Sequence, residues 1–203
     1  MDEAGAPLRV FDPALEFRGP VVALRPLRPD DADALFAITP PGTFDYFLNW
    51  PRAWTRQAFA AWVAGFFSPT QRAYAVLDAR DGRLLGGTSF LDIDAGNRSV
   101  EVGRTWYAPE VRGTLVNPAC KLLLLGHAFE REGCVRVTLK CDARNLHSQR
   151  AIARLGAVRE GTLRKHRVQQ NGFVRDTVYF GVTRDEWPEV KDRLERRLGA
   201  GGP

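Results

Sequence analysis

The stretch NPACKLLLLGHAFEREGCVRVTLKC, Asn117 to Cys141, decides the fold. Asn117 is a favoured helix N-cap, and Pro118 fits the first helical position, where its missing N–H costs nothing. The helix is expected to run to about Glu132, burying Cys120, Leu123, Leu124 and Ala128, with Gly133 as a left-handed stop. Val135, Val137, Leu139 and Cys141 then alternate with Arg136, Thr138 and Lys140, the pattern of a half-buried strand. Ser99 to Tyr107 reads as another strand. Strand, helix and strand in that order make a crossover, so the two strands run parallel.

Working upstream, Asp81-Gly82 marks a hairpin between strands at Ala73 to Leu77 and Leu84 to Ile93. Ala95-Gly96-Asn97 links that hairpin to Ser99. Val21 to Leu27 reads as a first strand with Val22, Leu24 and Leu27 inward. Pro29-Asp30-Asp31 opens a helix carrying Ala32, Leu35, Phe36 and Ile38 at helical spacing, and Pro40-Pro41-Gly42 stops it. The aromatic stretch from Phe44 to Trp54 has no regular period. A second helix, Arg56 to Phe67, places Phe59, Trp62, Val63 and Phe66 on one face, and Pro69 ends it.

Downstream, Asn145 caps a helix that closes near Gly156. Ala157 to Arg167 and Phe173 to Val182 form a hairpin around Asn171-Gly172. A terminal helix, Asp185 to Leu198, follows. The expected fold is α/β (α+β), a mixed and mostly antiparallel twisted sheet of about six to seven strands with one parallel pair, flanked by helices. Residues 19–198 make one domain, after an irregular arm at 1–18 and before a flexible tail at 199–203.

The chain of 203 residues is 44% hydrophobic and 26% charged, which is ordinary globular composition. No apolar run approaches a membrane span, and Leu122 to Leu125 is short. Met1-Asp2-Glu3 does not begin a secretion signal. Three cysteines cannot all pair, and neither they nor the three histidines have metal-ligand spacing, so no metal is expected. A reducing cytoplasm follows as the default. The net charge of +5 invites a nucleic-acid reading, but the basic residues are scattered without a Lys/Arg block. A basic surface equally suits a polyanionic small molecule.

In an open sheet, ligands settle beyond the carboxyl ends of parallel strands. Here two loops feed helix N-termini. The first, Val111-Arg112-Gly113-Thr114-Leu115-Val116, leads into Asn117, where free backbone N–H groups suit a phosphate and Arg112 adds charge. An ordinary capped helix explains the same residues. No Walker loop or Rossmann glycine triad is present, which argues against nucleotide hydrolysis and hydride transfer.

The order of elements, the run Arg112 to Lys121, Asn145-Leu146-His147-Ser148 and Arg154-Leu155-Gly156-Ala157 resemble the RimJ/RimL-like branch of the GNAT acetyltransferases. The resemblance continues through Glu160-Gly161-Thr162-Leu163-Arg164, Gly172 and Asp176 to Glu186-Trp187. It implies transfer of an acetyl or other short acyl group from an acyl-CoA to an amine, with acetyl-CoA as co-substrate and no metal. The loop from Arg112 through Gly113, Thr114, Leu115 and Val116 to Asn117 would hold the diphosphate. Trp106 and Tyr107 would offer backbone groups to the pantetheine arm and thioester, on a strand that family members bulge.

By the same resemblance, Asn145 would bond the pantetheine, and Ser148 would protonate the departing thiolate while both serve as cap and first-turn residue. The family's loop carries small residues where this chain has Leu115 and Asn117. Either the loop turns at Gly113 instead, or cofactor affinity has eroded. The glutamate proposed as base in RimL-like relatives falls near Arg167 here, which cannot act as one. Glu101, at an exposed alternate position facing the slot, is the first candidate in its place. The aromatic stretch and the hairpin tip at Arg167 to Phe173 would border the acceptor, a protein N-terminus or a small amine. A monomer or homodimer, without membrane or nucleic-acid partner, is expected. A non-catalytic CoA-binding module and a succinyl-CoA-using enzyme stand as alternatives.

Overall fold

The computed structural model describes residues 11–68 and 70–199; the expected stop at Pro69, residues 1–10 of the arm and residues 200–203 of the tail lie outside them. Strands β1 (Phe17–Arg18) and β2 (Val22–Pro26) precede helices α1 (Ala32–Ile38) and α2 (Arg56–Ala64). Strands β3 (Arg72–Asp78), β4 (Leu84–Asp94) and β5 (Ser99–Tyr107) form the meander. Helix α3 (Val116–Gly126) crosses over to β6 (Arg136–Asp142), followed by α4 (Leu146–Leu155), β7 (Val158–Val168), β8 (Val174–Thr183) and α5 (Trp187–Gly199).

These strands make one eight-stranded sheet in the order β1-β2-β3-β4-β5-β6-β8-β7. Only β5 and β6 pair in parallel, as the crossover requires. The strand count exceeds the expected six to seven because residues expected to be irregular join the sheet: Phe17 faces Leu24 across β1 and β2. Phe11 and Phe17 are buried, and the Phe11 ring lies 4.7 Å from that of Phe90.

Two cores result, one on each face. The larger joins inward residues of the strands, such as Val100, Leu139 and Val178, to Leu124 of α3 and Leu194 of α5. The smaller is aromatic and lies under α1 and α2, where Phe44, Phe59, Phe66 and Trp106 pack together. Helix α2 ends at Ala64, sooner than expected, yet Phe59, Val63 and Phe66 are buried as its spacing predicts.

The α3 region differs from its sequence reading in three ways. The helix begins one residue before Asn117, with Leu115 at the N-cap position and no side-chain cap. Regular α geometry ends at Gly126, and His127–Arg131 continue as a π-helical turn before Gly133, whose φ of +70° supplies the stop. Lys121 and Leu125 are buried while Leu123 is only half-buried, and Val135 is exposed.

Candidate functional site

The parallel pairing of β5 and β6 is short. It runs from Ser99 opposite Arg136 to Glu101 opposite Thr138 and then stops. The cause is a bulge on β5: Gly87 faces Trp106 and Ser89 faces Gly103, so Arg104 and Thr105 together oppose Thr88. Arg104 takes a φ of +48°, a conformation uncommon for a residue with a Cβ. The two threonine hydroxyls meet at 2.8 Å across the bulge. On its other flank, β4 comes close enough that a Cβ on Gly87 would lie 2.4 Å from the Trp106 ring.

Beyond Glu101 the strands part, and a cleft of about 710 Å³ opens there. Its walls come from the ends of β5 and β6, the starts of α3 and α4, the loop at 42–49 and residues of β4, β7 and β8. Trp106, Tyr107, Arg112, Gly113, Thr114 and Asn117 line it, as do Asn145, Ser148 and Glu101. Leu115 and Val116 do not, and Val116 is buried in the core.

At one end of the cleft stands the loop into α3. Gly113 adopts a φ of +78° with open space where a Cβ would point. Among the described residues, the N–H groups of Gly113, Thr114, Leu115 and Asn117 have no partner, whereas Val116 N–H donates to Thr114 Oγ1 at 3.3 Å. Unanswered amides at a helix start form a concave anion site. Asn117 does not cap: its Oδ1 accepts from the Tyr107 hydroxyl at 3.2 Å, fixing the strand end to the helix. Arg112 likewise turns inward, donating to Tyr107 O at 2.9 Å and to Thr43 Oγ1 at 3.2 Å.

The second loop behaves as its sequence suggests. Asn145 Oδ1 accepts from Ser148 N–H at 2.9 Å, a side-chain cap that leaves the Asn145 amide NH₂ and the Ser148 hydroxyl available. Cys141 of β6 lies beside that hydroxyl; burial pushes its thiol pKa up and the Ser148 contact opposes the shift.

Glu101 is buried, not exposed as expected, because helices and loops cover both faces of the sheet. Its carboxylate forms an ion pair with Lys140, which also reaches Asp92 at 3.1 Å. Burial raises the Glu101 pKa to about 7, against the pull of Lys140 and with a further push from Asp92. On the far side of the bulge Lys121 is 4% exposed, donates to Thr105 Oγ1 at 2.9 Å, and is lowered by burial to about 8. The cleft therefore holds a carboxyl group and an ammonium that both titrate near neutrality.

The loop at 42–49 and the β7–β8 hairpin close the cleft from above. Gln169 is buried and donates to Asp45 O at 3.2 Å and Phe47 O at 2.8 Å. Arg175 donates to Tyr46 O at 2.9 Å, and Arg144 stacks on Phe173 with its guanidinium 3.7 Å from the ring centre. Within the aromatic stretch, Phe44 packs against Trp106 while Tyr46 and Phe47 line the cleft.

Sequence reasoning missed Asp92, Lys121, Lys140 and Gln169. Lys121 left one signal: it shares a helical stripe with Leu124, Leu125 and Ala128, where a lysine is out of place. Among the described residues no group of three His, Cys, Asp or Glu side chains could hold a metal, and no helix is long and apolar enough to cross a membrane.

A family model described as the Acetyltransferase (GNAT) domain matches residues 22–158. A curated protein named "Putative ribosomal N-acetyltransferase YdaF", from Bacillus subtilis, is 33% identical over 112 residues, which span 55% of this chain and 60% of that protein. Among solved structures, a "putative acetyltransferase" from T. thermophilus is 37% identical with a TM-score of 0.85, covering 90% of this chain and 96% of its own. A GCN5-related N-acetyltransferase from Brucella melitensis is 28% identical with a TM-score of 0.88, covering 96% and 89%.

Proposed function

Because the chain belongs to the GNAT acetyltransferase family, we propose that it moves a short acyl group from an acyl-CoA to a primary amine by direct attack. One observation carries this reading. A single cleft joins the free amides at the head of α3, the parted ends of β5 and β6, and the buried carboxyl group of Glu101.

In this reading the amides of Gly113, Thr114 and Asn117, which line the cleft, receive the diphosphate, in a loop that turns at Gly113 and is held by Arg112. Exposed Arg150 and Arg154 of α4 add positive charge along the same cleft. Backbone groups of Trp106 and Tyr107 and the Asn145 amide hold the pantetheine arm between the strands. A β5 backbone N–H freed by the bulge polarises the thioester carbonyl and stabilises the oxyanion that forms on it.

The amine nitrogen bonds to the carbonyl carbon, and the carbon–sulfur bond then breaks. Glu101 takes the proton released by the amine, directly or through one water, and Ser148 gives its hydroxyl proton to the departing thiolate while taking one back from water. A base near 7 matches an α-amine at about 7.7–8.0 better than a lysine at about 10.4. That match, and the name of the Bacillus relative, favour a protein N-terminus over a small amine as acceptor. The three cysteines are free and buried, which suits a cytoplasmic protein.

The test is incubation of the purified protein with acyl-CoA thioesters and a panel of N-terminal peptides and small amines, following thiol release. Turnover of at least one pair is expected. Binding of CoA with no turnover across the panel would instead support a non-catalytic CoA-binding module, and absence of binding would end the reading.

A further inference from the structure

Lys121 is a lysine where the fold asks for an apolar residue. It sits on α3 between Cys120 and the run Leu122 to Leu125, and it is buried. Its ammonium has three N–H donors, and the single hydrogen bond it makes is to the neutral Thr105 hydroxyl at 2.9 Å. No carboxylate among the described residues pairs with it. Glu101, the acid whose field reaches it, is already held by Lys140. A buried cation without a counter-ion is unfavourable, and methionine or leucine would fill the same space at no electrostatic cost. Among the described residues nothing answers the charge, and a ligand anion would.

The position of Nζ limits which ligand that is. Lys121 stands five residues beyond Val116, the first residue of α3, so its backbone lies about 7 Å along the helix from the free amides. Thr105, which it touches, stands two residues before Tyr107, again about 7 Å along the strand. The ammonium is therefore displaced from the diphosphate loop toward the bulge, where the strands part. Pantetheine is uncharged, and an acceptor amine brings positive charge of its own. The portion of an acyl-CoA that can reach the bulge with an anion is the acyl group itself.

We propose that Lys121 is the seat for a carboxylate at the far end of the acyl group, so that the preferred donor is the CoA thioester of a short dicarboxylic acid such as succinate. The inference rests on the acyl-CoA reading above and narrows it. The surroundings agree with it: Thr105 supplies a hydroxyl next to Nζ, itself bonded to that of Thr88 at 2.8 Å, and Asn117, one turn back on the same helix, also lines the cleft. Lys140, the other lysine of the cleft, is bound to Glu101 and Asp92 and so has no call on a further anion.

Titration calorimetry without acceptor tests the idea through binding alone, using CoA, butyryl-CoA and succinyl-CoA. Butyryl-CoA has the chain length of succinyl-CoA and lacks only the carboxylate. The native protein should bind succinyl-CoA about tenfold more tightly than butyryl-CoA, the expected worth of one charge-assisted contact. Lys121→Met should erase that preference, leave the affinity for CoA itself unchanged, and melt no lower than the native protein. Lys121→Gln, which keeps a hydrogen bond to Thr105 without the charge, should erase the preference as well. Equal or weaker binding of succinyl-CoA by the native protein, or a preference that survives both substitutions, overturns the proposal and leaves the acyltransferase reading standing. Failure to bind CoA in any form would remove both.

Discussion

Arg112 Nε donates to the backbone carbonyl of Tyr107 at 2.9 Å, tying the end of β5 to the loop that opens α3. The guanidinium thus holds the loop's shape, and its second contact, to Thr43 at 3.2 Å, pins the same loop to the cleft's far wall. A lysine in its place would keep the charge and lose the fork that spans two partners. Arg112→Ala should weaken CoA binding about tenfold by calorimetry, in line with one charged hydrogen bond. Arg112→Lys should recover little of it. Full recovery with lysine would mean that the residue acts as a point charge on phosphate.

The state of Glu101 sets a pH dependence. Because burial raises its pKa to about 7, the carboxyl holds a proton below that pH and cannot accept one from the amine. Activity measured as kcat/KM should rise with pH through about 7, once the ionised form is available to pair with Lys140. Glu101→Gln should lower the rate by roughly 10²-fold or more and leave only the limb of the acceptor amine, near 8 for an α-amine. An unchanged limb in the glutamine variant would clear Glu101 of the role.

Much of the fold was legible because short-range rules agreed with the topology. The alternation at Val137, Leu139 and Cys141, the Asn145 cap and the left-handed Gly156 all appear where spacing puts them. The site was legible only where it used those same signals. Alternation assigns Glu101 to one face of β5, but it cannot say that Lys140 and Asp92 close over the carboxylate there and bury it. Asn117 carries a capping side chain that Tyr107, ten residues earlier, captures instead. The bulge puts Arg104 itself, not the neighbouring Gly103, at positive φ, and a residue with a Cβ does not announce that conformation.

Gly103 leaves room for the Glu101 carboxylate by being small. A Cβ there would lie 2.6 Å from Glu101 Oε1 and 3.1 Å from Leu91 Cδ1. Gly103→Ala should displace the carboxylate that pairs with Lys140, at an overpacking cost of about 1–3 kcal/mol. The expected result is a fall in turnover and a displaced acid limb, with CoA affinity kept. Native turnover and pH profile in this variant would show that the exact seat of Glu101 is unimportant.

Ser148 can be tested without disturbing its helix, since the cap bond to Asn145 uses the backbone N–H of Ser148 rather than its hydroxyl. Ser148→Ala should therefore keep the melting temperature and CoA affinity while lowering kcat by roughly 10²-fold, the low end for a general acid. A kcat equal to that of the native protein would assign thiolate protonation to solvent.

Gln169 tests whether the roof of the cleft selects the acceptor. Its amide answers the carbonyls of Asp45 and Phe47, and its Oε1 accepts from Arg144 at 2.9 Å, so one buried side chain joins the β7–β8 hairpin, the loop at 42–49 and the loop between β6 and α4. Gln169→Ala leaves two carbonyls and a guanidinium donor unanswered, a loss of about 1–3 kcal/mol concentrated in the roof. Hydrogen exchange should quicken at residues 44–50 while the body of α3 stays protected, because no Gln169 contact reaches it. KM for the acceptor should rise several-fold with CoA affinity unchanged. If acceptor KM stays level while those amides exchange faster, the roof covers the cleft without shaping what enters it.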